Sequence, residues 1–138
     1  MYLDSAIIVK LLVHEPDSAW FNENIVDHAL WTSELSLAEV RSALLIKERT
    51  KQISVAQRKS AFAQFEFMRD EKIVRLHPLN LSVVERAAGL LFGCHPDVPL
   101  RSLDAIHIAT TLMHSSSALC ATDGRMRAAA KRVGVPCF

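Results

Sequence analysis

Hydrophobic positions along the chain alternate between short runs typical of buried strands and longer segments with helical spacing. The strand-like runs cover residues 1 to 4, 29 to 33, 73 to 76, 118 to 122 and 135 to 138. Helix-like segments separate these runs, and such an alternation predicts an α/β fold in which helices cover a short parallel sheet. No repeat or low-complexity linker interrupts the pattern, so we expect residues 1 to 138 to form a single domain.

Several helix ends are marked by residues that favour them. Pro16 is tolerated in a first turn and stands near the start of the second helix-like segment. Ser54 precedes the run VAQRKSAFAQFEFM, and Ser82 with Glu85 has the spacing of a capping box. Gly134 is expected to end the last helix, because glycine readily adopts the backbone conformation found there.

Composition places few limits on function. The 16 Lys and Arg residues against 15 Asp and Glu residues give a net charge of +1, which neither requires nor excludes a nucleic-acid partner. Cys94, Cys120 and Cys137 are odd in number and lack CxxC spacing, which argues against a disulfide framework or a zinc site and favours a reducing cytoplasm. Asp4 and Lys10 interrupt what would otherwise resemble a signal peptide, and no apolar run is long enough to cross a bilayer.

Four acidic residues fall where predicted strands end or where the following helices begin. Asp4 ends the first strand, Asp123 follows the fourth, and Glu39 and Asp104 lie early in helices. Each has a structural alternative. Asp4 and Asp123 are good helix N-caps, Glu39 has the spacing of a capping box with Ser36, and Asp104 favours a helix N-terminus through the macrodipole.

Together the four acids need a cation, or protons, to offset their repulsion, and their oxygen ligands favour a cation site. The carboxyl ends of parallel strands meet at one edge of a sheet, where ligands collect. At separations of about 6 Å and an effective dielectric constant of about 20, each carboxylate pair costs roughly 3 kcal/mol. The summed repulsion of all the pairs would therefore approach the free energy of unfolding of a whole domain. Oxygen ligands suit Mg²⁺ or Mn²⁺, and such a cation supports hydrolysis of a phosphodiester in nucleic acid.

Other catalytic constellations are poorly supported. The chain has no GxSxG elbow for a serine hydrolase and no glycine-rich loop for a nucleotide. A phosphatase or phosphoacceptor with Asp4 as nucleophile is a third hypothesis, but Ala6 stands where a DxD pair needs its second acid. His107 lies three residues after Asp104, and we interpret it as a packed residue or as a support for the site.

The acidic blocks resemble those of the PIN-domain family, in particular its small VapC-type toxins. YLDSAIIVKLL, SELSLAEVRSAL, LRSLDAIHIATTL and LCATDGRMRAAAKRVG occur in the family's order and extend over nearly the whole chain. The resemblance implies a three-layer α/β/α sandwich and divalent-metal-dependent cleavage of RNA. It places Asp4, Glu39, Asp104 and Asp123 on the family's metal-binding acids, and Ser5 on its small hydroxyl position.

The same resemblance implies partners and contains one departure. Toxins of this type are paired with an antitoxin protein and are typically homodimers. The fourth block often has a hydroxyl residue two positions before its acid, where this chain has Ala121, so a supporting hydrogen bond is expected to be missing or supplied differently; the adjacent Thr122 is counted with Ser5 among the residues that support the acids. A catalytically idle PIN-like module that binds RNA or a protein remains the alternative, although an idle copy has no need to keep a repulsive acidic cluster.

Basic residues flank the third and fourth acidic blocks. They are predicted to bind RNA phosphates without selecting sequence, the alternative being solvated helix faces. The set comprises Arg101, Arg125, Arg127 and Lys131, with Arg132 beside them.

Overall fold

The computed structural model describes residues 1–15, 17–25, 27–114 and 118–138. The strands are β1 (Tyr2–Leu3), β2 (Leu30–Ser33), β3 (Val74–His77) and β4 (Leu119–Cys120). The helices are α1 (Ser5–Leu12), α2 (Ser18–Ile25), α3 (Ser36–Arg49), α4 (Val55–Asp70), α5 (Leu81–Cys94), α6 (Ser102–Met113) and α7 (Gly124–Arg132). The order of elements agrees with the alternation of strands and helices expected from the sequence.

The four strands form one parallel sheet in the order β3-β2-β1-β4. Tyr2 is paired with Trp31 on one side and with Leu119 on the other, so β1 lies inside the sheet. The carboxyl ends of β1 and β4 are therefore neighbours. This arrangement confirms the predicted parallel sheet.

The fifth strand-like run, residues 135 to 138, does not form a strand. Within the described residues it contributes one isolated bridge, between Leu119 and Cys137. Pro136 has no N–H to donate and takes part only through its carbonyl, which accepts from the Leu119 N–H at 2.9 Å. A ladder cannot extend through a residue that lacks a donor, so this prediction was wrong.

Alternation along the strands sends side chains to two separate cores. Leu3 and Cys120 point to one face, where residues of α1, α2, α3 and α4 complete a hydrophobic cluster. Tyr2 and Leu119 point to the other face, which α5, α6 and α7 cover. Because β1 is buried on both faces, its residues are apolar throughout, as is typical of a parallel sheet between helices. The result is the expected three-layer α/β/α arrangement.

Two of the predicted helix boundaries are confirmed. The Ser54 hydroxyl accepts from the Gln57 N–H at the start of α4, and the Gln57 side chain accepts from the Ser54 N–H, which completes a capping box. Gly134 follows α7 with a φ of 78°, a conformation that costs glycine little. Pro16 lies outside the described residues.

The capping box expected at Ser82 and Glu85 is absent. Helix α5 begins at Leu81, and the Asn80 side chain caps it by accepting from the Val83 N–H at 3.1 Å. Asn is at least as good an N-cap as Ser, and its position two residues earlier allows the helix to begin sooner. Ser82 then lies inside the first turn.

No helix among the described residues is long and apolar enough to cross a membrane.

Candidate active site

All four acids singled out from the sequence line one cleft at the carboxyl edge of the sheet. The cleft has a volume of about 210 Å³ and is lined by Asp4, Ser5, Ala6, Glu39, Asp104, His107, Asp123 and Met126. Asp4 directly follows β1, and the Asp4 N–H donates to the Cys120 carbonyl at 3.1 Å, which places it beside the end of β4. The topology therefore brings together residues that are more than one hundred positions apart.

Asp4 is both a helix cap and a buried acid. One of its oxygens, Oδ1, accepts from the Ile7 N–H at 2.8 Å and so caps α1. The side chain is only 4% exposed, and this burial raises its pKa to about 6. The Ile7 hydrogen bond and His107 oppose the rise, while Glu39 and Asp104 add to it. The capping interpretation is confirmed, but it leaves the second oxygen available.

Asp104 carries a buried oxygen without a partner. It lies in the first turn of α6, and its Oδ2 is buried and has no hydrogen-bond partner among the described residues. Burial raises the pKa of Asp104, and the charge of Asp123 raises it further. An unpaired buried carboxylate oxygen is costly, which is the condition that a bound cation relieves.

Glu39 is held by two donors instead. Its Oε2 accepts from the Ser5 hydroxyl and from Nε2 of His107, the latter at 2.7 Å. Burial alone would raise the pKa of Glu39, but the hydrogen bond and the charge of His107, together with the Ser5 hydrogen bond, outweigh it and lower the pKa. The alternative capping box with Ser36 does not form, because α3 has no side-chain cap and the Ser36 hydroxyl contacts those of Ser5 and Thr32.

Asp123 caps α7 and is paired with an arginine. Its Oδ1 accepts from the Met126 N–H at 3.0 Å and the Arg125 N–H at 2.8 Å. The Arg125 guanidinium lies 3.3 Å from Oδ2. The Met126 hydrogen bond is the first cause of a lowered pKa, so Asp123 is an ionised carboxylate at neutral pH.

The donor set fits a hard divalent cation in its chemistry. Carboxylate oxygens are the ligands that Mg²⁺ and Mn²⁺ prefer, and Asp104, whose Oδ2 is unpaired, lines the same cleft as Asp4. Across the described ranges, no three His, Cys, Asp or Glu side chains stand together as a ready-made metal centre. The acids therefore line the cleft without forming a closed coordination shell.

Supporting residues include several that sequence reasoning did not single out. His107 contacts Glu39, as a support for the site should, and its other ring nitrogen lies 2.7 Å from the Tyr2 hydroxyl. Thr32 donates to the Leu3 carbonyl at 2.8 Å and lies 2.6 Å from the Ser36 oxygen. Of these residues, His107 was indicated by the sequence, through its spacing from Asp104. Tyr2, Thr32 and Ser36 carried no comparable signal.

The hydroxyl residues predicted to support the acids differ in position. Ser5 lines the cleft and donates to Glu39. Thr122 is exposed and is not among the residues that line the cleft, while Ala121 is buried. The hydroxyl missing at Ala121 is therefore not replaced from the adjacent position.

The predicted RNA-binding cations also differ in position. Arg101 is exposed next to Asp104, and Arg125 is paired with Asp123. Arg127 donates to the carbonyls of Ala121 and Phe138, which ties the end of the chain to β4. Arg127 and Lys131 line a separate surface groove of about 380 Å³, and Arg132 is paired with Asp97. Only Arg101 and Arg125 flank the acids directly.

The fold and the cleft define an α/β protein with an acidic candidate active site at the carboxyl edge of its sheet. The sequence model of the PIN domain matches residues 1–132, so the chain belongs to the PIN-domain family. The chain is 37% identical to Ribonuclease VapC46 of Mycobacterium tuberculosis (strain ATCC 25618 / H37Rv) over an alignment of 138 positions, which covers 98% of this chain and 93% of that protein.

Two solved structures share the fold. VapC20 of Mycobacterium tuberculosis, described as a toxin that cleaves the sarcin-ricin loop, superimposes with a TM-score of 0.72 at 18% identity and covers 93% of each chain. FitAcB from Neisseria gonorrhoeae superimposes with a TM-score of 0.70 at 19% identity and covers 99% of this chain and 95% of the other. At these identities the likeness establishes the fold and confirms the expected sandwich.

Proposed function

We propose that this chain is a divalent-metal-dependent endoribonuclease that acts as the toxin of a toxin-antitoxin pair. Its membership of the PIN-domain family and its 37% identity to a VapC ribonuclease over nearly its whole length support this function. The observation that carries the proposal is the single cleft that gathers Asp4, Glu39, Asp104 and Asp123, with one Asp104 oxygen buried and unpartnered.

In this proposal the four acids hold the cation and orient the reaction. A bound Mg²⁺ or Mn²⁺ supplies positive charge for the phosphodiester in its transition state and lowers the pKa of a water molecule. Asp4 and Asp104 offer oxygens that the fold has not already paired, while Glu39 and Asp123 contribute carboxylates whose lowered pKa keeps them ionised. Carboxylate oxygens not used for binding accept hydrogen bonds from the attacking water and orient it toward the phosphorus.

In the same proposal, basic residues near the acids position the RNA. Arg101 and Arg125 flank the acids and would pair with phosphates near the scissile bond. Arg127 and Lys131 lie on a neighbouring groove and would contact the strand farther away. Phosphate contacts of this kind set register without selecting a base sequence.

The remaining parts of the proposal rest on the family. We infer that Mg²⁺ is the working ion, with Mn²⁺ able to replace it, and that residues 1 to 138 act as one PIN domain in the cytoplasm. We further infer a cognate antitoxin that restrains the enzyme and a homodimer as its assembly.

One observation favours a second candidate, the catalytically idle PIN-like module that binds RNA or a protein. The side chains of the described residues do not stand together as a ready-made metal centre, as they need not in a module without catalysis. Against it, four acids in one cleft are expensive to keep without a cation.

Cleavage of a mixed RNA pool tests the proposal. Purified protein is assayed with Mg²⁺, with Mn²⁺ and with excess chelator, beside Asp4→Asn and the matched control Asp70→Asn, which removes an exposed acid at the end of α4. We expect cleavage in either metal that stops with chelator, is lost in Asp4→Asn and persists in Asp70→Asn. RNA binding without cleavage in either metal would instead support the idle module.

A further inference from the structure

Two buried residues outside the acidic set are arranged to hold one of its members in place. We propose that His107, itself fixed by Tyr2, is a positioning residue that sets the carboxylate of Glu39 for cation binding. This inference rests on the proposed function, because it assigns the pair a role at the same site. It adds a supporting layer that extends from the cleft into the sheet.

The contacts connect three layers of the fold. His107 is 2% exposed on α6, and its Nε2 lies 2.7 Å from Oε2 of Glu39 on α3. Its Nδ1 lies 2.7 Å from the hydroxyl of Tyr2, a fully buried residue of β1. The two rings meet edge to face, with centroids 5.8 Å apart. A ring held at both nitrogens and packed on one side has little freedom to turn.

The chemistry of the two ends gives the hydrogen bonds one direction. A carboxylate only accepts, so Nε2 of His107 carries the proton that points at Glu39. Whenever the ring is neutral, Nδ1 is the acceptor and the Tyr2 hydroxyl donates to it. Burial raises the pKa of Tyr2, which keeps that hydroxyl a donor. Tyr2 thereby selects the tautomer of His107 that can donate to Glu39.

The hydrogen bonds to Glu39 leave its second carboxylate oxygen available for the cation. The Ser5 hydroxyl and His107 both donate to Oε2. A glutamate side chain has several rotatable bonds, and ordering it costs free energy that a ligand would otherwise have to supply. Two donors on one oxygen order it before any cation arrives. Partners of this kind around metal ligands typically change metal affinity by about 10- to 100-fold when removed.

Mn²⁺ binding to the metal-free full-length chain tests this role separately from catalysis. Calorimetry compares the wild type with His107→Leu, His107→Gln, Tyr2→Phe and the control Thr111→Val. Thr111 is buried on the same helix and donates to the His107 carbonyl, but it does not contact Glu39. His107→Gln places an amide N–H about where Nε2 stands, so it restores the donor without the ring.

We expect His107→Leu to weaken Mn²⁺ binding by about 10- to 100-fold and His107→Gln to stay within about threefold of the wild type, with Tyr2→Phe between them. The kcat for RNA should follow the same order while KM changes little, because neither residue is among the cations proposed to bind the RNA phosphates.

The inference is overturned if His107→Leu binds Mn²⁺ as tightly as Thr111→Val, if His107→Gln is as weak as His107→Leu, or if Tyr2→Phe matches the wild type. If His107→Leu fails to fold, Tyr2→Phe still decides, because it keeps the buried ring and removes only the hydroxyl. A wild type that binds no Mn²⁺ and cleaves no RNA would instead contradict the proposed function itself.

Discussion

The two halves of the acidic cleft are treated differently by the fold. Glu39 and Asp123 receive hydrogen bonds from side chains and backbone, and the pKa of each is lowered. Asp4 and Asp104 are dominated by burial, and the pKa of each is raised. The protein therefore stabilises two of its acids internally and leaves the other two without such compensation, which the proposed cation would supply. The carboxylates that burial destabilises most are thus the ones to which the proposed cation would contribute most.

Removing one of the two acids destabilised by burial, Asp4 or Asp104, should have the largest effect on activity. Asp4→Asn keeps a side-chain oxygen for the Ile7 N–H but loses the charge. Because partners that only support metal ligands already change activity by up to about 100-fold, we expect a loss of at least that size from a ligand itself. Initial rates on a defined RNA in Mn²⁺ measure the loss. Residual activity above one tenth would contradict the place of Asp4 in the site.

The same substitution should stabilise the metal-free protein. An acid whose folded pKa is raised contributes stability below its unfolded pKa and loses it as pH rises through the folded value. For Asp4 that window runs from 3.8 to about 6, and the shift of about 2 pH units corresponds to a cost on the order of 3 kcal/mol above it. Urea unfolding with chelator at pH 8 should therefore give a higher midpoint for Asp4→Asn. Equal midpoints would remove the distinction between the two halves.

His77 also contributes to the pH dependence of the free energy of unfolding. Burial, followed by the nearby His114, lowers the pKa of His77 from 6.5 to about 4. Its neutral form is favoured in the folded protein, so stability is lost as pH falls from about 6.5 toward 4. This trend runs opposite to that of Asp4 in the same range. The difference between wild type and Asp4→Asn, measured at each pH, removes the His77 contribution.

Adding a cation should offset the free-energy cost of the buried carboxylates in the wild type. At a Mn²⁺ concentration about 100 times its dissociation constant, linkage raises the free energy of unfolding by about 2.7 kcal/mol. We expect this gain in unfolding free energy in the wild type and little of it in Asp104→Asn, which lacks the carboxylate charge at the position of the unpartnered oxygen. Thermal unfolding with a Mn²⁺ titration and a Ca²⁺ comparison checks this. An equal gain in both proteins would place the cation elsewhere.

The smallest effect on stability and activity is expected for Asp123, one of the two acids that hydrogen bonds stabilise. Asp123→Asn retains the cap of α7, because an amide oxygen also accepts from the Arg125 and Met126 N–H groups. Metal-free stability should change by only a few tenths of a kcal/mol, and activity by less than in Asp4→Asn. Asp123→Ala removes the cap and should cost about 1 kcal/mol. If Asp123→Asn were as inactive as Asp4→Asn, the halves would not differ in function.

Much of the fold follows from local patterns. Apolar runs separated by helical spacing indicated four of the strands and their parallel arrangement, and acids after strand ends indicated where a site would form. The errors were also local. A proline prevented the run at 135 to 138 from forming a ladder, and Asn80 capped a helix that Ser82 was expected to begin. The first error came from a residue without a backbone donor, and the second from two candidate caps that spacing alone did not rank.

By itself the sequence determined which residues are acidic, which segments form strands or helices, and that the four acids belong near one edge of a parallel sheet. Only the tertiary structure decided how each acid is treated there. Glu39 is paired because His107, 68 positions later, reaches it from another helix with Tyr2 behind it. The oxygen of Asp104 is left unpaired by the same packing. Hydrogen bonding and burial depend on distances across the fold, which residue type and spacing along the chain do not specify.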